Sequence, residues 1–175
     1  MSTFFSADFH YNHGNIIKYC NRPFSSIEEM HEIIIRNWNQ RVKPEDTVFC
    51  IGDWGFKKSG EASDAPKEVY KSIEEQLNGN VILIKGNHDG NNNIKTIIHN
   101  LVISYGGHKI FLVHDPKYAN INYIINLCGH IHQNWKIKKL TETSTIINVG
   151  MDVWNFRPIT INEILSEYST WKKSC

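Results

Sequence analysis

The sequence predicts an α/β sandwich built on a mixed sheet or on two packed sheets. Short apolar runs recur from end to end and alternate with amphipathic or polar stretches. The early runs are separated by helical patterns, which implies parallel strands linked by crossovers, whereas the later runs succeed one another through short turns. With 175 residues, 41% of them hydrophobic and 21% charged, the chain has apolar mass for one core and too few residues for two comfortable domains. A single domain over residues 1–175 is therefore expected.

Thr3–Ala7 (TFFSA), Thr47–Ile51 (TVFCI), Val81–Lys85 (VILIK), Lys109–Val113 (KIFLV) and Ile125–Cys128 (INLC) read as buried strands, being short, apolar and rich in β-branched or aromatic residues. Trp135–Leu140 and Ser144–Val149, joined through polar Thr141-Glu142-Thr143, read as a hairpin. In Ser25–Val42, Ser26 and Glu29 stand in capping-box spacing, and Ile27, Met30, Ile34 and Trp38 share one helical face. A second helix is expected from about Pro66 to Leu77, closed by Asn78-Gly79, and a last one opens with Thr160 and Glu163, again in capping-box spacing. Polar, glycine-containing Lys57–Glu68 reads as a mobile loop.

The formal net charge of +1 argues against a basic stripe that tracks nucleic-acid backbone, although bound cations would add positive charge that residue counting misses. Cys20, Cys50, Cys128 and Cys175 form no C-x-x-C pair, and Cys50 and Cys128 sit in apolar runs as buried thiols would. The first residues carry neither the charged start nor the apolar stretch of a signal peptide, and no segment is long and apolar enough to cross a bilayer. A cytoplasmic location is expected.

The residues just past each strand carry the chemistry. Asp8-Phe9-His10 comes after the first, Gly52-Asp53 after the second, Gly86-Asn87-His88-Asp89 after the third, His114-Asp115 after the fourth and Gly129-His130-Ile131-His132 after the fifth. Ligands of α/β sheets bind beyond the carboxyl ends of strands. Residues two apart in extended backbone project to the same side, so Asp8 and His10 are expected to face one point, as are His130 and His132. This mixture of oxygen and nitrogen ligands suits Zn, Mn or Fe, and a carboxylate such as Asp53 can bridge two ions. Each motif alone is most often an ordinary turn or a satisfied histidine. Their occurrence together, in order and each behind a strand, points to a metal centre.

The ordered set D-x-H, G-D, G-N-H-D, H and G-H-x-H, spanning Asp8 to His132, resembles the signature of the calcineurin-like metallophosphoesterase superfamily. The opening SADFHYNHGNIIKYCNRPF and the ending NVGMDVWNFRPITINEI are similar to its small single-domain bacterial and phage members. The resemblance implies a four-layer αββα sandwich with mixed sheets. It also implies a dinuclear, metal-dependent hydrolase of phosphate esters, with phosphodiesters or nucleotides as substrates. Asp8, His10, Asp53 and His132 would hold one divalent ion and Asp53, Asn87, His114 and His130 the other, with Mn²⁺ first and Fe, Zn or Ni as alternatives. A hydroxide shared by the ions would attack phosphorus in line, His88 would protonate the leaving group, and Asp89 would orient or charge His88.

His13 is a candidate phosphate contact or a support for the first metal, with a surface role equally open; Arg22 and Arg157 are candidate phosphate contacts, with solvated roles as the plainer reading. Asn15 reads as a helix cap or substrate contact, and Trp54 and Trp154 as core residues before stacking platforms. D-F-H in place of G-D-x-H-G, together with the short chain, disfavours a protein Ser/Thr phosphatase. Two alternatives stand beside hydrolysis of small phosphate esters: a catalytically weak protein-binding scaffold of the same fold, and a metal-dependent nuclease. The expected partner is a phosphate-ester small molecule or nucleotide; nucleic acid is less favoured by the charge, no membrane partner is expected, and the sequence indicates no oligomeric state.

Overall fold

Phe4 and Phe5 are neighbours in an extended run, so their side chains leave the strand on opposite sides, and both are buried. The sheet that holds them is therefore covered on both faces. The computed structural model describes residues 1–55, 75–89 and 96–174. In the first sheet, β1 (Thr3–Ser6), β2 (Thr47–Ile51) and β3 (Asn80–Ile84) are parallel in the order β3-β2-β1, and β9 (Ile159–Thr160) joins the free side of β1 antiparallel. Phe4, Val48 and Cys50 pack outward against α1 (Asn15–Tyr19) and α2 (Ile27–Asn39), chiefly on Met30, Ile34 and Trp38. Phe5, Ile51 and Ile84 pack inward.

The inward face meets a second mixed sheet of β4 (Asn100–Tyr105), β5 (His108–Val113), β6 (Ile125–Cys128), β7 (Ile137–Lys139) and β8 (Thr145–Asn148), ordered β4-β5-β6-β8-β7. Its centre, β5, β6 and β8, is parallel, while β4 and β7 are antiparallel edges. Ile110, Leu112, Leu127 and Ile147 fill the inter-sheet core together with Ile161 and Ile164 of α3 (Ile161–Ser174). On the outer side of this sheet, Phe111 stacks on Tyr123 at 5.4 Å, and the Asn126 amide is held by the backbone of Asn120 and Tyr123. The fold is thus a mixed α/β sandwich of two mixed sheets, as both the strand pattern and the resemblance imply.

The strands expected from sequence form, with ends shifted by a residue or two. Ser26 caps α2 through the Glu29 amide, but the Glu29 carboxylate reaches back to the Ser25 amide, one residue beyond the expected box. Two strands were not expected. β4 pairs with β5 through a Gly106-Gly107 turn, both glycines having positive φ, a hairpin signal readable in principle. β9 is two residues long, too short to show any periodicity. The expected loop Lys57–Glu68 lies outside the described residues, as does the Pro66–Leu77 helix except for its last three positions. Cys20, Cys50 and Cys128 are buried free thiols. Among the described residues, no helix is long and apolar enough to cross a membrane.

Parallel bridging between Ala7 and Gly150 joins the end of β1 to the end of β8. The parallel strands of both sheets therefore end at one edge of the sandwich, and the loops that leave them meet there.

Glu163 fastens α3. Its carboxylate accepts from the amide and hydroxyl of Thr160, from Arg157 at 2.8 Å and from Arg41 at 2.6 Å. Burial acts to raise its pKa, but the Thr160 amide and the Arg157 hydrogen bond bring it below the ordinary 4.5. A depressed carboxylate contributes stability that is complete above the unfolded pKa and is lost as pH falls through the folded value. Glu163→Gln is expected to lower stability by about 1 kcal/mol at neutral pH. The gap from wild type should begin to narrow below about pH 4.5 and close once pH falls past the lower folded value, as read by urea denaturation across a pH series.

Candidate metal centre

The loops after β1 and β2 run side by side, with the Asp8 amide donating to the Gly52 carbonyl and the His10 amide to the Asp53 carbonyl, each at 3.0 Å. Asp8 (φ 58°), His10 (55°), Asp53 (54°), His130 (74°) and His132 (48°) all adopt left-handed backbone. Such conformations are costly for residues with a Cβ and gather where function holds them. The spacing of D-x-H and G-H-x-H therefore works differently from the extended-strand expectation. Left-handed residues at alternate positions swing the side chains inward, and His130 and His132 enter different clusters.

One cluster is Asp8, His10 and His132; the other is Asp53, His114 and His130. Within each, one prospective ligand atom per residue lies within 4.8 Å of the others. Asp53 Oδ2 links them, lying 3.6 Å from His10 Nε2 and 3.3 Å from His114 Nε2. Asn87 Oδ1 completes the second, at 2.9 Å from His114 Nε2 and 2.8 Å from His130 Nδ1. The His130 amide donates to the Asp8 carboxylate, 2.9 Å from both oxygens, tying the clusters together. All seven expected ligands, Asp8, His10, Asp53, Asn87, His114, His130 and His132, are thus brought together.

Burial is the largest single influence on these groups, and close partners reverse it at three of them. It lifts Asp8 to about 6 and pushes His10 well below its ordinary value. Burial acts to raise Asp53 too, but the hydrogen bond and charge of His114 hold it below the usual carboxylate range. Burial acts to lower His114 and His132. The Asp53 hydrogen bond and the Asp8 charge nevertheless carry His114 to about 9, and the Asp152 hydrogen bond carries His132 to about 10. The proton that His114 Nε2 directs at Asp53 occupies a position where a divalent cation would replace it. A cation also fits the donor set: His10 Nε2 is buried without a hydrogen-bond partner and lies beside Asp53. The Nδ1–H of His114 donates to the Ile51 carbonyl at 2.8 Å, so its Nε2 is the nitrogen turned to the centre.

His88 stands at the mouth. Its side chain is 38% exposed, its ring nitrogen is 3.9 Å from Asp53 Oδ2, and its amide donates to Asp53 Oδ1 at 3.0 Å. Asp89 was expected to orient this ring; its buried carboxylate accepts from the amides of Gly86 (2.7 Å), Trp54 (3.0 Å) and Asp53 (3.1 Å). It holds the Asp53 loop to the His88 turn.

His13 does reach the centre, with Nδ1 3.3 Å from His10 Nδ1. Arg22 and Arg157 were candidate phosphate contacts, but protein groups claim both. Arg22 is enclosed and bidentate on Asp152, and Arg157 pairs with Glu163. Asn15 is exposed at the first position of α1, whose cap position is Gly14. Trp54 packs on Phe9 and Trp38, and Trp154 is buried with its indole N–H on the Asn148 carbonyl. Asp152 escaped the sequence reading. It accepts from His132 Nδ1 at 2.9 Å, and the strand-end rule would have found it, since Gly150-Met151-Asp152 lies just past β8.

A methyl on Gly86 would collide with the Asp53 amide nitrogen and carboxylate, whereas one on Gly14 meets only Ile27 at 3.7 Å. Gly86→Ala is therefore expected to weaken Mn²⁺ binding by about 10–100-fold in calorimetric titration, as displaced supporting groups do. Gly14→Ala should leave it unchanged.

The family model of the calcineurin-like phosphoesterase superfamily domain matches residues 1–158. The chain is 37% identical over 166 residues to the uncharacterized protein MJ1445 of Methanocaldococcus jannaschii, covering 91% of this chain and 86% of that protein. The crystal structure of AQ665, a protein of unknown function from Aquifex aeolicus, shares the fold with a TM-score of 0.69 at 22% identity, over 94% of this chain and 98% of that one. A looser likeness, TM-score 0.41 at 16% identity over 85% and 78% of the two chains, is to Yfce, a phosphoesterase from E. coli. With the family model matched along most of its length, the chain belongs to the calcineurin-like phosphoesterase superfamily.

Proposed function

We propose that this chain is a metal-dependent hydrolase of phosphate esters, acting on phosphodiesters or nucleotides at the centre gathered around Asp53. The observation that carries the reading is the Asp53 carboxylate itself. It faces one histidine of each cluster, with His88 beside it on the solvent side. Two divalent ions, Mn²⁺ first among the candidates, held by Asp8, His10, Asp53 and His132 and by Asp53, Asn87, His114 and His130, would supply a nucleophile from water and offset charge on the phosphoryl oxygens.

His88 is the group left to protonate the departing oxygen. Its amide is anchored on Asp53 while its ring faces solvent, within reach of an ester entering from outside. Asp89, on the backbone amides of the two loops, keeps that turn in register. A cavity of about 580 Å³ adjoins Asn87 and His114 and is lined also by Lys85, His99, Tyr118 and Lys117, the last paired with Asp115 of the same lining at 2.7 Å. Its size and its mixture of cationic and aromatic side chains suit the remainder of a diester or nucleotide better than a lone phosphate. The complete ligand set favours turnover over the scaffold reading.

His88→Ala is expected to retain bound metal while losing roughly 10²–10⁴-fold in kcat on an aryl phosphodiester. Asp53→Ala should lose both metal and activity. Unchanged turnover in folded His88→Ala would remove the proton-donor role. Mn²⁺ added to chelated protein should restore cleavage; no recovery with any of several divalent ions would favour the scaffold instead.

A further inference from the structure

We propose that Asp152, held in place by Arg22, is a positioning residue that fixes the His132 ring so that Nε2, not Nδ1, is the nitrogen offered to the Asp8–His10 cluster. The inference rests on the metal reading given above. Asp152 Oδ2 lies 2.9 Å from His132 Nδ1. A carboxylate there accepts a hydrogen bond from Nδ1–H, which selects that tautomer and makes the opposite nitrogen a stronger ligand.

Arg22 explains why Asp152 orients rather than ligates. Its guanidinium carries five N–H groups, and five acceptors surround them. Nε donates to Asp152 Oδ1 at 2.8 Å, and Nη2 to Asp152 Oδ2 at 2.9 Å and to the Asp8 carbonyl at 2.7 Å. Nη1 donates to the Phe9 carbonyl at 3.2 Å and to Met30 Sδ at 3.5 Å. Both carboxylate oxygens are thus engaged by a buried cation, and a divalent ion bound to them would sit against that charge. Cys20, His132 and Asp152 also come within 4.8 Å of one another, but the fork of Arg22 argues against a third ion in that trio.

The same guanidinium ties the loop of Asp8 to the loop of Asp152. Asn148 adds a second tie: its side-chain amide donates to the His132 carbonyl at 2.6 Å and to the Trp135 carbonyl at 3.0 Å, and its oxygen accepts from the Gly150 amide at 2.8 Å. His132 is therefore held at both its backbone and its ring.

The test reads the ring nitrogens of His132 by ¹⁵N NMR in Zn²⁺-loaded protein and tracks Mn²⁺ binding calorimetrically to the metal-free chain. Wild type should show Nδ1 protonated and Nε2 bound to metal. Asp152→Asn should weaken one Mn²⁺ binding step by about 10–100-fold and spare the other, with altered His132 shifts. Because that change leaves Arg22 buried and unpaired, Asp152→Asn combined with Arg22→Met is measured beside it. Cys20 also hydrogen-bonds His132, so it is changed to Ser, which keeps a hydroxyl there; Cys20→Ser should alter neither step.

Metal on Nδ1 in wild type overturns the proposal and needs no variant to be seen. Unchanged affinities and shifts in the folded Asp152 variants overturn it equally. Loss of metal in Cys20→Ser matching that in Asp152→Asn would make the pair ligands and overturn the positioning role. A wild-type chain that takes up no divalent ion defeats the metal reading itself, a result separable from any of these.

Discussion

Two buried carboxylates, Asp8 and Asp53, share one small space, and their mutual repulsion is the constraint that the surrounding structure answers. The Asp53 charge raises the pKa of Asp8 further, on top of what burial does. The chain offsets this with the imidazoles of His114 and His132 and with backbone amides, His130 donating to Asp8 and His88 to Asp53. These are partial remedies. The charge pattern they leave, carboxylates between protonated or orphaned imidazoles, is complementary to bound cations.

Holding such groups together needs backbone that ordinary strands do not offer. Left-handed conformations at Asp8, His10, Asp53, His130 and His132 are maintained because neighbouring segments determine them. The β1 and β2 loops pair through the Asp8 and His10 amides, the Gly129 amide reaches the His114 carbonyl, and the Val149 amide reaches the Cys128 carbonyl. The inter-sheet core fixes the strand ends from which these loops spring. Apolar packing at a distance from the centre thus stabilises the local strain that aims its side chains.

Beyond the prospective ligands lies a layer of groups that orient them. The Ile51 carbonyl turns His114, Asp89 joins the Asp53 loop to the His88 turn, and Asp152 with Arg22 meets His132. This layer explains how a buried arginine sits beside a centre suited to cations: its charge is paired with Asp152, and its remaining N–H groups go to the backbone carbonyls of Asp8 and Phe9.

Much of this was legible in the sequence. The apolar runs marked the central strands, Ser26 and Thr160 marked helix starts, and the Asp, His and Asn residues behind successive strands marked the edge where loops converge. Residue type and spacing suffice for such features because they rest on local periodicity and on where side chains must leave a strand. Tertiary structure alone decided the rest. The roles of Arg22 and Asp89 depend on partners brought together from distant parts of the chain: Arg22 meets Asp152 across 130 positions, and Asp89 meets the Asp53 amide across 36. The division of His130 and His132 between two clusters was implied by the family resemblance, but the left-handed backbone at both residues is shown by no spacing rule. A sequence states which groups are available; which of them become neighbours, and which are already occupied, is decided only once two sheets have packed face to face.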